Sequence, residues 1–261
     1  EMKTIVIVLC LTSTALGFQF PSIPSFFDKG TIGLQSRVSQ KKSDLLEAVS
    51  FTSNGKNASP QKQAEVLAIV GDIEESYPVS PTLLTNTGEI QKLDGVWYLQ
   101  YTSPSQIGEE DKFPSSWKPD FAAEGESNIE TKQFNAQGTV SAAGISVDTS
   151  NRVVKQVFDV SESKVTNDVS LDFGSVVVSG PFRPSPFVPN RAIVSFDTAK
   201  ITLNNGFQID LGWIFGILAI VRGSKDNGWL ETTYLDEELR LGRGNKGTMF
   251  VLTRDVDAVK P

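Results

Sequence analysis

Residues 228–255 read GWLETTYLDEELRLGRGNKGTMFVLTRD. Both ends of this stretch alternate with period two. Leu230, Thr232 and Tyr234 interleave with Trp229, Glu231, Thr233 and Leu235, and Phe250, Leu252 and Arg254 interleave with Met249, Val251 and Thr253. Successive strand residues point to opposite faces of a sheet, so aromatic and β-branched residues at this spacing predict two half-buried strands. Between them lie Asp236, Glu237, Glu238, Arg240, Arg243 and three glycines, which predict a solvated ion-pair turn. Upstream, the segments 129–134, 139–147, 152–160, 165–173 and 176–179 are short, strand-like and separated by Asn, Gly, Ser and Asp. Segments 192–203 and 207–211 predict a hairpin about Asn204-Asn205-Gly206. Strands spaced by about ten residues with no long helical pattern between them point to an antiparallel barrel or sandwich, not a parallel α/β sheet.

The blocks TTYLDEELRLGRG (232–244) and FVLTRD (250–255) closely resemble the C-terminal signature of the plastid lipid-associated proteins, the PAP/fibrillin family. LDGVWYLQYTS (93–103) is similar to that family's first barrel strand, and residues 42–81 resemble its helical stretch more weakly. Gly95-Val96-Trp97 also resembles the G-x-W of lipocalins. The resemblance implies a mainly β fold, a lipocalin-like antiparallel β-barrel over residues 93–261 preceded by a short helical segment at 42–92. It also implies a plastid address and binding of a hydrophobic molecule such as a quinone, a carotenoid or another prenyl lipid.

The residues themselves narrow the chemistry. The chain has 261 residues, a net charge of −7, no histidine and one cysteine, Cys10. The acidic balance argues against a nucleic-acid partner, which needs a basic face. Without histidine the usual general base, the Ser–His and Cys–His pairs and the commonest zinc ligand are missing. No catalytic or metal-ligating set is assigned. Gly242-x-Gly244-x-x-Gly247 fits the dinucleotide spacing, but here the glycines precede a strand rather than opening a helix, so the motif is rejected.

Met2 reads as the initiator, followed by Lys3, an apolar run at 5–11 and small residues Ala15 and Gly17. This is a signal-peptide pattern over residues 1–17. Phe18 then opens a segment, 18–41, rich in basic residues and serine with Asp28 as its only acid. The combination resembles the bipartite presequence of algae with secondary plastids and implies import through the secretory route. Segments 42–53 and 59–77 predict helices, the second started by Ser59 at its N-cap and Pro60 at N1 and stopped by Pro78. These helices are expected to close one end of the barrel. Residues 181–189 hold four prolines and predict a stiff loop. The run LGWIFGILAIV (211–221) is too short to cross a bilayer as a helix and predicts a buried strand or a lipid-facing patch.

The expected function is non-enzymatic binding of a hydrophobic plastid molecule, or attachment to a thylakoid or plastoglobule surface. The alternatives are a structural subunit docking on a photosynthetic or lipid-synthesis complex, and an enzyme acting on an isoprenoid. No cofactor is expected beyond a bound quinone, carotenoid or lipid. Three faces supply the candidate ligand wall if all turn inward. They are Trp97, Leu99 and Tyr101 on the first strand, Leu230, Thr232 and Tyr234 on the penultimate one, and Phe250, Leu252 and Arg254 on the last. In a closed barrel the first and last strands are neighbours, so Arg254 is expected over the Trp97 indole, with Arg240 as the reserve partner.

Overall fold

The computed structural model describes residues 28–104, 139–142, 145–213, 228–244 and 247–259. The chain divides into two compact units, Glu1–Arg37 and Val38–Pro261. Of the first, only 28–37 are described, as helix. The expected signal peptide, strand 129–134 and the apolar run from 214 onward lie outside the described residues.

Two helices come first, α1 (Asp28–Val49) and α2 (Pro60–Ser76). The Ser59 side chain caps α2, accepting from the Lys62 N–H at 3.2 Å, with proline behind it at N1, as the sequence predicts. The strands are β1 (Gly95–Thr102), β2 (Thr139–Ala142), β3 (Ile145–Asp148), β4 (Val154–Asp159), β5 (Lys164–Leu171), β6 (Gly174–Pro184), β7 (Arg191–Val194), β8 (Thr198–Leu203), β9 (Gln208–Asp210), β10 (Gly228–Leu235), β11 (Leu239–Gly244) and β12 (Met249–Thr253). Strands β2 and β3 form a separate hairpin. The large sheet runs β5-β4-β1-β12-β11-β10-β7-β6-β8-β9, and β5 also pairs with β6. That extra pairing closes an eight-stranded antiparallel barrel, with β8 and β9 continuing the wall beside β6.

Several predicted boundaries need correction: the strand expected at 139–147 is the β2–β3 hairpin, and the strand expected at 192–203 divides into β7 and β8. The acidic–basic turn contains a further strand, β11, paired with both β10 and β12. Half of the proline segment, through Pro184, belongs to β6, whose last three residues pair with β7.

The barrel wall packs on two main cores, with a smaller cluster of Val176, Val178 and Ala199 on β6 and β8. Inside lie Trp97, Leu99, Phe158, Val165, Phe182 and Leu252, joined by Leu83, Leu84 and Leu93 from the segment before β1. Outside, Leu45, Val49, Val66, Val70 and Ile73 of the helices pack on Leu239, Leu241, Met249 and Val251. The helices therefore brace the outer face of β1, β12, β11 and β10 instead of closing an end. The closing role falls to residues 79–93, whose apolar side chains join the interior cluster.

Candidate functional site

Parity along β10, β11 and β12 decides what the interior contains. On β12, Phe250 and Leu252 belong to the interior cluster, while Met249 and Val251 belong to the helix-facing one. On β11, Leu239 and Leu241 face the helices, and Arg243 reaches out to Glu74 of α2 at 2.5 Å. Arg240, Gly242 and Gly244 therefore face inward. These glycines make room. A Cβ on Gly244 would sit 3.1 Å from the Phe250 ring, and one on Gly242 would lie 2.8 Å from the Glu231 carbonyl.

Two register shifts redirect the tyrosines. Leu99 pairs with Leu252, but Tyr101 pairs with Val251, because the β1–β12 ladder shifts between Leu99 and Tyr101. The β10–β11 ladder shifts in the same way between Thr232 and Tyr234. An extra residue in one strand inverts the parity of the residues beyond it. Tyr101 and Tyr234 consequently leave the interior and join the helix-facing cluster. Gln100, the extra residue of β1, turns its amide to the Thr253 hydroxyl at 2.7 Å. Tyr234 donates to Asp236 at 2.7 Å. The expectation that three residues share a face on β1 and on β10 thus fails at the third residue in each strand. The other seven candidates, Trp97, Leu99, Leu230, Thr232, Phe250, Leu252 and Arg254, come together on the inner face.

At the closed end Arg254 stacks on Trp97 with its guanidinium carbon 3.8 Å from the ring centroid, the expected contact. The same guanidinium donates to the Lys92 carbonyl at 2.9 Å and the Val96 carbonyl at 3.3 Å. The indole N–H donates to the Leu93 carbonyl at 2.9 Å. Gly95 takes φ +97°, and a Cβ there would meet Arg254 at 2.8 Å. These ties fasten residues 92–97 across the barrel end. Burial lowers the Arg254 pKa, and the nearby Asp94 carboxylate offsets part of that.

Arg240 is the unexpected residue. Sequence reasoning places it in a solvated turn, yet it is 2 % exposed. Its Nε donates to Thr232 Oγ1 at 3.2 Å and its Nη1 to Gln156 Oε1 at 2.5 Å. Gln156 in turn donates to Asn167 Oδ1 at 3.0 Å. The guanidinium lies 4.6 Å from the centroid of Phe158, whose ring meets Phe182 edge-on at 5.4 Å. Burial, and secondarily the like charge of Arg254, pushes the Arg240 pKa down to about 9, so it remains a cation at neutral pH. A signal was present: Leu-Arg-Leu-Gly-Arg-Gly places leucines on one face and Arg240 with two glycines on the other.

The inner face is therefore mainly apolar and carries the buried Arg240 cation, the amides of Gln156 and Asn167 and the Thr232 hydroxyl. Leu230, Phe250, Gln156 and Asn167 face inward yet keep partial exposure. Among the described residues no group of three or more Asp, Glu, His or Cys forms a metal-binding cluster. The PAP_fibrillin family model matches residues 39–253. The chain belongs to the PAP/fibrillin family. Its fibrillin relatives include the chloroplastic light-induced protein of Solanum tuberosum, 24 % identical over 245 residues, covering 84 % of this chain and 68 % of that one. The chloroplastic plastid-lipid-associated protein of Citrus unshiu is 24 % identical over 245 residues, covering 84 % and 69 %. The chromoplast-specific carotenoid-associated protein C1 of an Oncidium hybrid cultivar is 25 % identical over 260 residues, covering 86 % and 72 %. No solved structure matches this fibrillin chain.

Proposed function

We propose that this fibrillin is a non-enzymatic plastid protein whose barrel holds one hydrophobic molecule, of the class that includes quinones, carotenoids and other prenyl lipids. The observation carrying this reading is the partial exposure of Leu230, Phe250, Gln156 and Asn167 on the inner face. Inward-facing side chains that stay exposed border space the barrel's own residues leave open, whereas a small barrel with a fully packed interior would bury them. An apolar wall with a few convergent polar groups is the usual make-up of a ligand pocket. Trp97, Leu99, Phe250 and Leu252 supply the wall. Thr232 and Arg240 supply the polar end, with Arg254 reserved for the closed end. Each Å² of apolar ligand surface removed from water contributes about 25 cal/mol. The plastid names of the relatives support the location, and an acid-poor segment after a signal-like leader supports import through the secretory route.

Leu99→Trp tests the chamber, since it narrows an open space but overpacks a filled core. The expected result is an unchanged melting temperature with loss of co-purifying lipid, read by mass spectrometry of an organic extract. A fall in melting temperature with no lipid on wild-type protein refutes the reading.

A second reading, attachment to a thylakoid or plastoglobule surface, is favoured by a separate observation. Phe173, Phe207 and Trp213 are 54 %, 61 % and 63 % exposed. The first two are drawn together where the Asn204 N–H donates to the Phe173 carbonyl and the Leu203 N–H to that of Phe207. Exposed aromatic side chains on one extension suit the interface of a lipid layer.

A further inference from the structure

Resting on the chamber proposed above, we propose that its occupant is a long-chain carboxylic acid, held with its carboxylate against Arg240. Arg240 is fully enclosed, and the groups it meets are all neutral: Thr232, Gln156 and the Phe158 ring. A guanidinium carries five N–H donors. Two are used, and among the described residues the other three meet no acceptor. None of the described inward-facing residues of the strands is Asp or Glu. Of the carboxylates near β11, Glu237 is exposed on the surface and the others are committed elsewhere: Asp236 and Glu238 to Lys42, at 2.9 and 2.6 Å, Glu231 to Arg191 at 2.9 Å, and Glu74 to Arg243. A buried charge without a counter-ion is costly, and proteins ordinarily pair it. Here the chain supplies no partner among the described residues, so the partner is assigned to the ligand.

The charge on that ligand follows from the second arginine. Arg254 already donates to two backbone carbonyls, covers Trp97 and has the Asp94 carboxylate nearby as a counter-charge. One guanidinium is left, matching a single negative charge. A carboxylate fits its fork with two parallel hydrogen bonds. A dianionic phosphate would leave a net negative charge in the same apolar surroundings. The apolar tail then lies along Leu99, Leu230, Phe250 and Leu252.

The test uses the full chain and three dodecyl probes below their micelle concentrations, read by quenching of intrinsic tryptophan fluorescence. These are dodecanoic acid, its methyl ester and dodecyl phosphate. Charge-assisted pairing predicts that the acid binds roughly tenfold to a hundredfold more tightly than the ester. Arg240→Met should erase that preference, so that acid and ester bind with affinities within about threefold of each other. Arg240→Lys, which keeps the charge without the fork, should retain part of the preference. If Arg240→Met fails to fold, the acid-to-ester ratio in wild type and in Arg240→Lys still decides. Equal binding of acid and ester overturns the acid assignment and leaves the chamber standing. Tighter binding of dodecyl phosphate than of the acid overturns the monoanion assignment. An acid preference that survives Arg240→Met moves the headgroup elsewhere and overturns the role of Arg240. Binding of none of the three overturns the chamber as well.

Discussion

Replacing Tyr101 by Phe separates the two faces of β1. Tyr101 is fully buried in the helix-facing core, and its hydroxyl has no hydrogen-bond partner. Burial alone raises its pKa to about 12. A buried hydroxyl left unsatisfied costs roughly 1–3 kcal/mol. Removing the oxygen forfeits a handful of dispersion contacts at about 0.1–0.2 kcal/mol each, under about 1 kcal/mol in total. The balance predicts a gain on the order of 1 kcal/mol. For a domain of this size that raises the melting temperature by roughly 2–4 °C. Differential scanning calorimetry measures it directly. The pH dependence adds an independent check. The Tyr101 pKa is raised in the folded state from its ordinary value of 10.0 to about 12. The folded state therefore binds more protons between those values, and the contribution is complete below pH 10 and lost as pH rises toward 12. The Phe variant should show a shallower alkaline decline than wild type. Because the register shift has turned Tyr101 outward, bound lipid should be unchanged. A melting temperature that drops by 2 °C or more, or a variant stripped of lipid, would mean that Tyr101 faces the chamber and the shifted register is wrong.

Two other variants, one single and one triple, probe regions remote from the chamber. Lys42 bonds Asp236 and Glu238. Its pKa is lowered by burial but raised overall by those bonds, while burial raises the Asp236 pKa and the bonds from Lys42, Tyr234 and two backbone N–H groups lower it overall. A depressed carboxylate stabilises the fold above its unfolded pKa of about 3.9 and loses that contribution as pH falls through the folded value. Lys42→Met should flatten the acid limb of an unfolding-versus-pH curve below about pH 4, and an unaltered limb would discount the Lys42–Asp236 tie. For the exposed aromatics, the triple variant Phe173→Ser, Phe207→Ser, Trp213→Ser should lose most co-flotation with galactolipid vesicles while keeping its melting temperature, whereas undiminished flotation removes this patch from the attachment surface.

Much of the fold is legible in the sequence because its signals are local. Ser59-Pro60 marks a helix start, and strands β4 to β6 follow from alternation and turn residues. The Trp97–Arg254 stack was also accessible, since a tryptophan on the first strand and an arginine at the end of the last one must meet when a barrel closes. The two register shifts were not. Gln100 and Thr233, where they fall, are ordinary strand residues, and the shift arises from pairing with β12 and β11. Nothing in Trp97-Tyr98-Leu99-Gln100-Tyr101 marks where parity inverts. Strand β11 was hidden for a different reason: glycine disfavours strands, and arginine beside three acids reads as surface. Its inward glycines and buried Arg240 make sense only once β10 and β12 flank it.

The inverted parity has an energetic consequence for function. Because the β1 and β10 ladders shift midway, Trp97, Leu99, Leu230 and Thr232 face the interior while Tyr101 and Tyr234 join the helix-packed core. The helix-packed core contains Tyr101, Tyr234, Leu239, Leu241, Met249 and Val251, all at 5 % exposure or less, together with the buried stripe of α2. That cluster requires no cooperation from the chamber. Interior space left open in a barrel costs cohesion that burial elsewhere can offset. Here apolar burial on the outer face takes over part of that duty, while the inner face keeps partly exposed apolar side chains and a cation, Arg240, that meets no acid among the described residues. On the function proposed above, stability and ligand capacity fall to opposite faces of the same strands. Substitutions at inward positions such as Leu99 should accordingly change what the barrel holds more than how firmly it folds, and substitutions at outward positions such as Leu241 should do the reverse.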